Sequence, residues 1–192
     1  MKPRLQRSAT IMFLVSIGLL VVALIGGPTL TRAEGDKTFT VDVTEDCNNA
    51  HVNPVVPGEP FTEVTPGDTI VVTGTIYPGG TLKPGSQSNL PTDPGSIGNW
   101  LSRAVFIVDT NQFNNGESPI AFATMLYMFP HDSKSLVSEG LVPNVGSRTE
   151  RAVLGGTGSY ASSTGQVRME NIGTNGTGCF NYRFSFRLKD QQ

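Results

Sequence analysis

Few side chains in this sequence could do chemistry. There are two cysteines, Cys47 and Cys179, and two histidines, His51 and His131. If the cysteines pair with each other, no set of ligands has the spacing of a metal site, so neither a metal nor a cofactor is expected. His131 and Asp132 are adjacent, but no G-x-S-x-G elbow accompanies them, and a serine hydrolase is a poor reading. Gly155-Gly156-Thr157-Gly158 has the composition of a phosphate cradle. Such a loop opens a helix and carries a Lys or a further Gly at fixed spacing, whereas a strand pattern follows here, so it reads as a tight turn. Asn175-Gly176-Thr177 fits a glycosylation acceptor, or in a bacterial host a plain surface turn. The formal net charge is −2, charged residues make up 16% of the chain, and no basic stripe is present, which argues against a nucleic-acid partner.

The chain begins like an exported protein. Lys2, Arg4 and Arg7 precede an apolar run from Ile11 to Ile25, and Thr31-Arg32-Ala33 offers small residues at a cleavage site. The run is shorter than the roughly twenty residues needed to span a bilayer, which favours a cleaved signal over 1–33 rather than an anchor. The membrane is then met only through this signal, and the destination is secreted or periplasmic. Two cysteines in an oxidising compartment favour one disulfide over two buried thiols.

Residues 34–192 amount to one domain, large enough to bury a core. Gly and Pro are abundant, and no long helical pattern follows residue 33. The clearest element is the last. Phe180, Tyr182, Phe184, Phe186 and Leu188 alternate with Asn181, Arg183, Ser185 and Arg187, the period of a strand with one apolar face. Before it, Gln166 to Ile172 reads as a strand, with turn chemistry from Asn171 to Gly178. Lys37–Thr44 reads as the first strand, Glu45 to Pro60 as polar and turn-rich, and Thr69–Tyr77 as a β-branched strand. Pro78 to Asn99 reads as a long loop, functional or disordered. Trp100–Asp109, Ile120–Phe129, Ser135–Val142 and Thr149–Leu154 complete the strands, with a polar turn over Asn111–Glu117. Eight short strands without helices argue for a barrel or a sandwich. Ile120–Phe129 is apolar on both faces, so one face must meet something other than the interior. A homo-oligomer is therefore expected, with Met125 a candidate for the outward side.

The ordered series AVLGGTGSY, TGQVRMENI and FNYRFSFRL resembles the allene oxide cyclase and dirigent superfamily, and the likeness extends upstream through Arg103–Asp109, Ile120–Phe129 and Leu136–Val142. The resemblance implies an all-β fold, an eight-stranded antiparallel up-and-down barrel. It also implies a small apolar molecule held in the lumen while a cyclisation or coupling is steered, and a trimer. Phe180, Tyr182, Phe184 and Phe186 would then line that lumen or pack it shut. The cyclases' inward Glu on the first strand is not matched, because Thr40 and Asp42 fall in the corresponding places. Their Cys on the third strand falls near Val105. The enzyme reading is thus left open, with isomerase-like or cyclase-like chemistry if any. Its polar groups would be Asp42, Arg103 and Tyr127, although these equally could face solvent or satisfy one another. The alternative is a non-catalytic exported barrel with a packed lumen that works through its surface. In a closed barrel the end of the first strand lies beside the start of the last, which brings Cys47 to Cys179 at the seam. The mature chain is expected to begin at Glu34, which N-terminal sequencing of the exported protein checks; Met1 recovered from the membrane fraction would refute it.

Overall fold

The structure is a computed structural model that describes residues 36–58 and 63–190. The expected signal over 1–33 lies outside the described residues. Eight strands follow one another around a closed antiparallel barrel. They are β1 (Lys37–Asn53), β2 (Thr69–Pro78), β3 (Gly98–Phe106), β4 (Ala121–Phe129), β5 (Lys134–Val142), β6 (Arg148–Thr157), β7 (Ser163–Thr174) and β8 (Phe180–Asp190). The ring closes where β1 pairs with β8, in a register running from Lys37 opposite Leu188 to Thr44 opposite Asn181.

Alternation decides which side chains enter the barrel. From β1 these are Val41 and Val43; from β3, Trp100; from β4, Ala123, Met125 and Tyr127; from β8, Tyr182, Phe184, Phe186 and Leu188, all buried in one core cluster. Residue size then divides the lumen along its axis. At one end Phe39 stacks on Phe186 with ring centroids 4.7 Å apart, and Tyr127 meets Phe184 and Phe186 edge-on at 5.1 and 5.0 Å. Lys37 and Lys134 lie over the ring of Tyr160 at 4.7 and 5.4 Å and cap this closed end. Toward the other end the same strands carry small residues, Ser102 and Ala104 on β3 and Ala121 and Ala123 on β4, and the lumen is left open.

Several boundaries differ from the sequence reading. The first strand runs nine residues beyond Thr44, for 17 in all, through a segment without apolar alternation. Asp46 turns back on itself there: its carboxylate accepts the amide N–H of Asn48 at 3.0 Å and the side-chain amide of Asn49 at 2.6 Å. That local turn is absorbed as a bulge between Asp46 and His51, after which pairing with β2 resumes. The polar turn after β3 contains a short helix, α1 (Thr110–Asn114), nucleated by a capping box in which Asp109 and Gln112 each accept the other's backbone N–H. Gly155 and Gly156 do not make the turn. They remain in β6 beside a bulge, and the chain reverses in a 3-10 turn at Gly158–Tyr160.

The long stretch after β2 is ordered. It folds as a clasp on the outer wall over β1, β2 and β7. Tyr77 reaches out and donates within hydrogen-bond distance of the carbonyls of Leu90, Pro91 and Asp93, at 3.0 to 3.2 Å. Gly85 donates to Ile172 O at 2.6 Å, and a Cβ on Gly173 would lie 2.9 Å from the Gly85 backbone, so only glycine fits beneath the clasp. Met125 is 1% exposed and faces the lumen, not the outside. The outward apolar residues of β4 are Phe122, Leu126 and Met128; Phe122, the most exposed of them, sits in register between Val105 and Leu141, and Phe122, Val105 and Leu141 are 43%, 38% and 40% exposed.

Cys47 and Cys179 form a disulfide with a Cα separation of 5.3 Å across 132 residues. In the chain-entropy account, closing so long a loop contributes about 5 kcal/mol as an upper value. Cys47→Ser is expected to lower the melting temperature by ten degrees or more. It should also speed amide exchange first at the β1–β8 seam, as read by hydrogen–deuterium exchange; uniform exchange would show that the bridge does not hold the seam.

Candidate functional site

The open end of the barrel is a cavity of about 270 Å³. Tyr182, Met125 and Ser102 form its floor, the small residues of β3 and β4 one side, and the disulfide with Phe180 the other. Its mouth is framed by α1, whose Phe113 packs 6.1 Å from Phe180, and by the segment following residue 62. That segment is anchored rather than loose. Val64 N–H donates to Thr110 Oγ1 at 2.8 Å, and the buried Asp68 carboxylate accepts from Val55 and Thr65 at 2.7 and 2.8 Å.

One polar group stands out in this cavity, Glu45. It continues the inward row Val41, Val43 one step beyond the last residue of β1 paired with β8. Its Oε2 accepts the backbone N–H of Phe180 at 3.2 Å, and the residue is 7% exposed. Burial raises its carboxyl to a pKa of about 8, only partly opposed by that hydrogen bond. The group therefore exchanges protons near neutral pH. Beneath it, burial and the neighbouring Glu45 push the Tyr182 hydroxyl well above its usual range.

The floor is stiffened by a buried cation. Arg151 enters from β6 and donates from Nη1 to Gly140 O and Leu141 O, both at 2.8 Å, and from Nη2 to Ala123 O at 2.6 Å. Gly140, with φ 152°, makes room for it: a Cβ there would meet the Arg151 stem at 3.2 Å. Tyr127 shares a hydrogen bond with Ser138 at 3.0 Å, and burial pushes its hydroxyl up to about 12.

The structure places the sequence candidates apart. Asp42 lies on the outer wall under the clasp, where it accepts from Gly80 and Leu82 N–H at 2.9 Å and is held by Arg183 Nε at 2.8 Å. Arg103 is exposed on the outer face of β3, so these two do not meet; Asp42 has a different arginine. Tyr127 is inside, but in the packed middle. Of the expected aromatic lining, Phe180 and Tyr182 border the cavity, while Phe184 and Phe186 fill the closed half. Val105, where the cyclases' Cys falls, points outward. Asn175 is 3% exposed, and its side-chain amide binds Thr44 Oγ1 at 2.8 Å and Glu45 O at 2.7 Å. That nitrogen serves the seam, which argues against its carrying a glycan.

No family model matches this sequence, and no curated protein matches it. Solved structures do share its fold. The pterocarpan synthase dirigent protein PsPTS1 superimposes with a TM-score of 0.61 at 11% identity, over 83% of this chain and 97% of that one. The pterocarpan synthase dirigent protein GePTS1 gives 0.59 at 11% identity, over 82% and 86%. A pyocyanin demethylase gives 0.51 at 19% identity, over 80% and 100%. The chain shares the closed eight-stranded barrel of these proteins, and at these identities the likeness is one of fold.

A raised carboxyl pKa has a thermodynamic consequence. The ordinary value for Glu45 is 4.5 and its folded value is about 8. The folded state therefore binds this proton more tightly, and the contribution of Glu45 to stability is greatest below the ordinary value. That contribution is lost as pH rises from there to about 8 and changes no further above it, by an amount on the order of a few kcal/mol. Glu45→Gln, which cannot ionise, is expected to melt several degrees above the wild type at pH 8.5 and within about two degrees of it at pH 4.5. Equal differences at both pH values would show that Glu45 is not buried as described.

Proposed function

We propose that this chain is an exported barrel that takes a small apolar molecule into the open half of its lumen and acts on it in an isomerase-like or stereo-directing way. The single observation that carries the reading is a mostly apolar cavity of about 270 Å³ in which one nearly buried carboxyl, Glu45, is poised near neutral pH. Pockets of this kind orient a ligand through a few convergent polar groups on apolar walls. Holding one reactive conformer supplies the entropic part of a cyclisation or coupling, and a group with a pKa near the working pH is suited to move the proton. In this reading Glu45 gives or takes that proton, while Tyr182 and Phe180 supply flat walls. The fold shared with dirigent proteins supports the stereo-directing form of the idea. The disulfide suits an oxidising compartment, and no helix among the described residues is long and apolar enough to cross a membrane. Self-association belongs to the same proposal, with the outer row Val105, Phe122 and Leu141 as the apolar band that a second copy would cover.

Nile red, an uncharged dye, tests the cavity directly. The wild type is expected to bind it with a blue-shifted emission, and Ala104→Phe, which fills the space from β3, is expected to weaken binding at least tenfold. Native mass spectrometry of the protein recovered from cell extract should then show a retained small molecule that Ala104→Phe lacks. Dye binding unchanged by Ala104→Phe, or no dye binding at all, would overturn the reading.

A further inference from the structure

The cavity holds acidic groups and no base among the described residues. Two carboxylates border it, Glu45 inside and Glu63 at the exposed rim, and among the described residues no Lys, Arg or His lines it. Two acids on the outer wall have basic partners, Asp42 matched by Arg183 and Glu150 by Arg168 at 2.8 Å, whereas Asp68 beside the mouth is held by backbone N–H groups. Arg151, the cation nearest the floor, points its guanidinium away from the cavity into backbone carbonyls. The Phe106, Phe113, Phe180 and Tyr182 rings border the same space. Aromatic faces beside carboxylates favour an alkylammonium or another organic cation, and they disfavour a carboxylate of the same skeleton.

We infer that the ligand of this cavity is a lipophilic cation, its apolar body held in the lumen and its positive group set between Glu45 and the aromatic rings of the mouth. This rests on the ligand-binding reading above and narrows it. Both acids act in the same direction, with Glu63 on the path of entry and Glu45 at the end of it. The titratable and charged groups that share the cavity or its floor with Glu45 are Glu63 from the rim segment, Tyr182 from β8 and, beyond Tyr182, Arg151 from β6. None of these is a free cation that could hold Glu45 ionised before the ligand arrives. Entry of a cation therefore ionises Glu45 and releases its proton to solvent. Affinity for a permanent cation accordingly rises with pH until the free protein's carboxyl, at about 8, is itself ionised.

The test compares octyltrimethylammonium, 1-octanol and octanoate, which share a chain and differ in charge, by titration calorimetry on the mature wild-type protein. The ammonium compound is expected to bind at least tenfold more tightly than the alcohol at pH 8, and octanoate more weakly than both. Between pH 6 and pH 8 the ammonium-to-alcohol ratio should climb by roughly fiftyfold, and buffers of different ionisation enthalpy should report close to one proton released at pH 6.5. In Glu45→Gln the ratio should fall to within about threefold and lose its pH dependence, with alcohol binding retained as the check that the variant is folded. An alcohol that binds as tightly as the ammonium compound, or a tighter octanoate, would overturn the cation assignment and leave the apolar cavity standing. Binding of none of the three would overturn both.

Discussion

The structure depends on one closure, the pairing of β1 with β8. A sheet of eight strands has two edges, and the ladder from Lys37–Leu188 to Thr44–Asn181 removes both. The seam ends where the cavity begins. Past Thr44, β1 stays with β2 but parts from β8, and the backbone N–H of Phe180 turns to the Glu45 carboxylate. Asn175 bridges the gap from the turn before β8, and the disulfide fixes the two chains just beyond. The mouth of the cavity is thus the place where the barrel stops being zipped. The Glu45 carboxyl is held there as the acceptor for a seam amide.

The middle of the lumen answers to a second constraint, the cost of a buried charge. Arg151 is 2% exposed, and the acceptors of its shortest hydrogen bonds are carbonyls. Burial lowers its proton affinity, and Tyr127 and Tyr182 partly restore it. Removing such a group would leave several carbonyls unpaired in the core, which is more costly than the net value of the interaction suggests. The guanidinium ties β4, β5 and β6 together at the level where the packed half meets the open half, and so supplies a rigid floor.

Much of this was legible in the chain. The aromatic row of β8 alternates so regularly that its inward face needs no structure to assign. The closed-barrel order, taken from a resemblance to known families, placed Cys47 beside Cys179. What was hidden has physical causes. Glu45 shares the parity of Val41 and Val43, but a charged residue followed by Asp46, Asn48 and Asn49 reads as the end of a strand; the bulge that lets the strand continue comes from side-chain hydrogen bonds. Ending β1 at Thr44 left Asp42 as its one visible acid, and Asp42 faces out. The opening of the lumen was written in residue size, Ser102, Ala104, Ala121 and Ala123 against Trp100, Tyr127 and Phe129. Periodicity reads polarity and is blind to volume. Glu63 and Phe113 reach the mouth through tertiary contacts that no local pattern encodes.

The two halves of the lumen also differ in how freely they can change. The closed half, with Phe39, Phe184, Phe186 and Tyr160 interlocked, behaves as a foundation in which a substitution disturbs several neighbours at once. The mouth is built from α1, the segment after residue 62 and the turn before β8, each tied back by a few hydrogen bonds. Selection could therefore rework the rim residue by residue while the foundation holds the ring shut. A scaffold arranged this way can reshape its cavity over evolutionary time without passing through an unfolded intermediate.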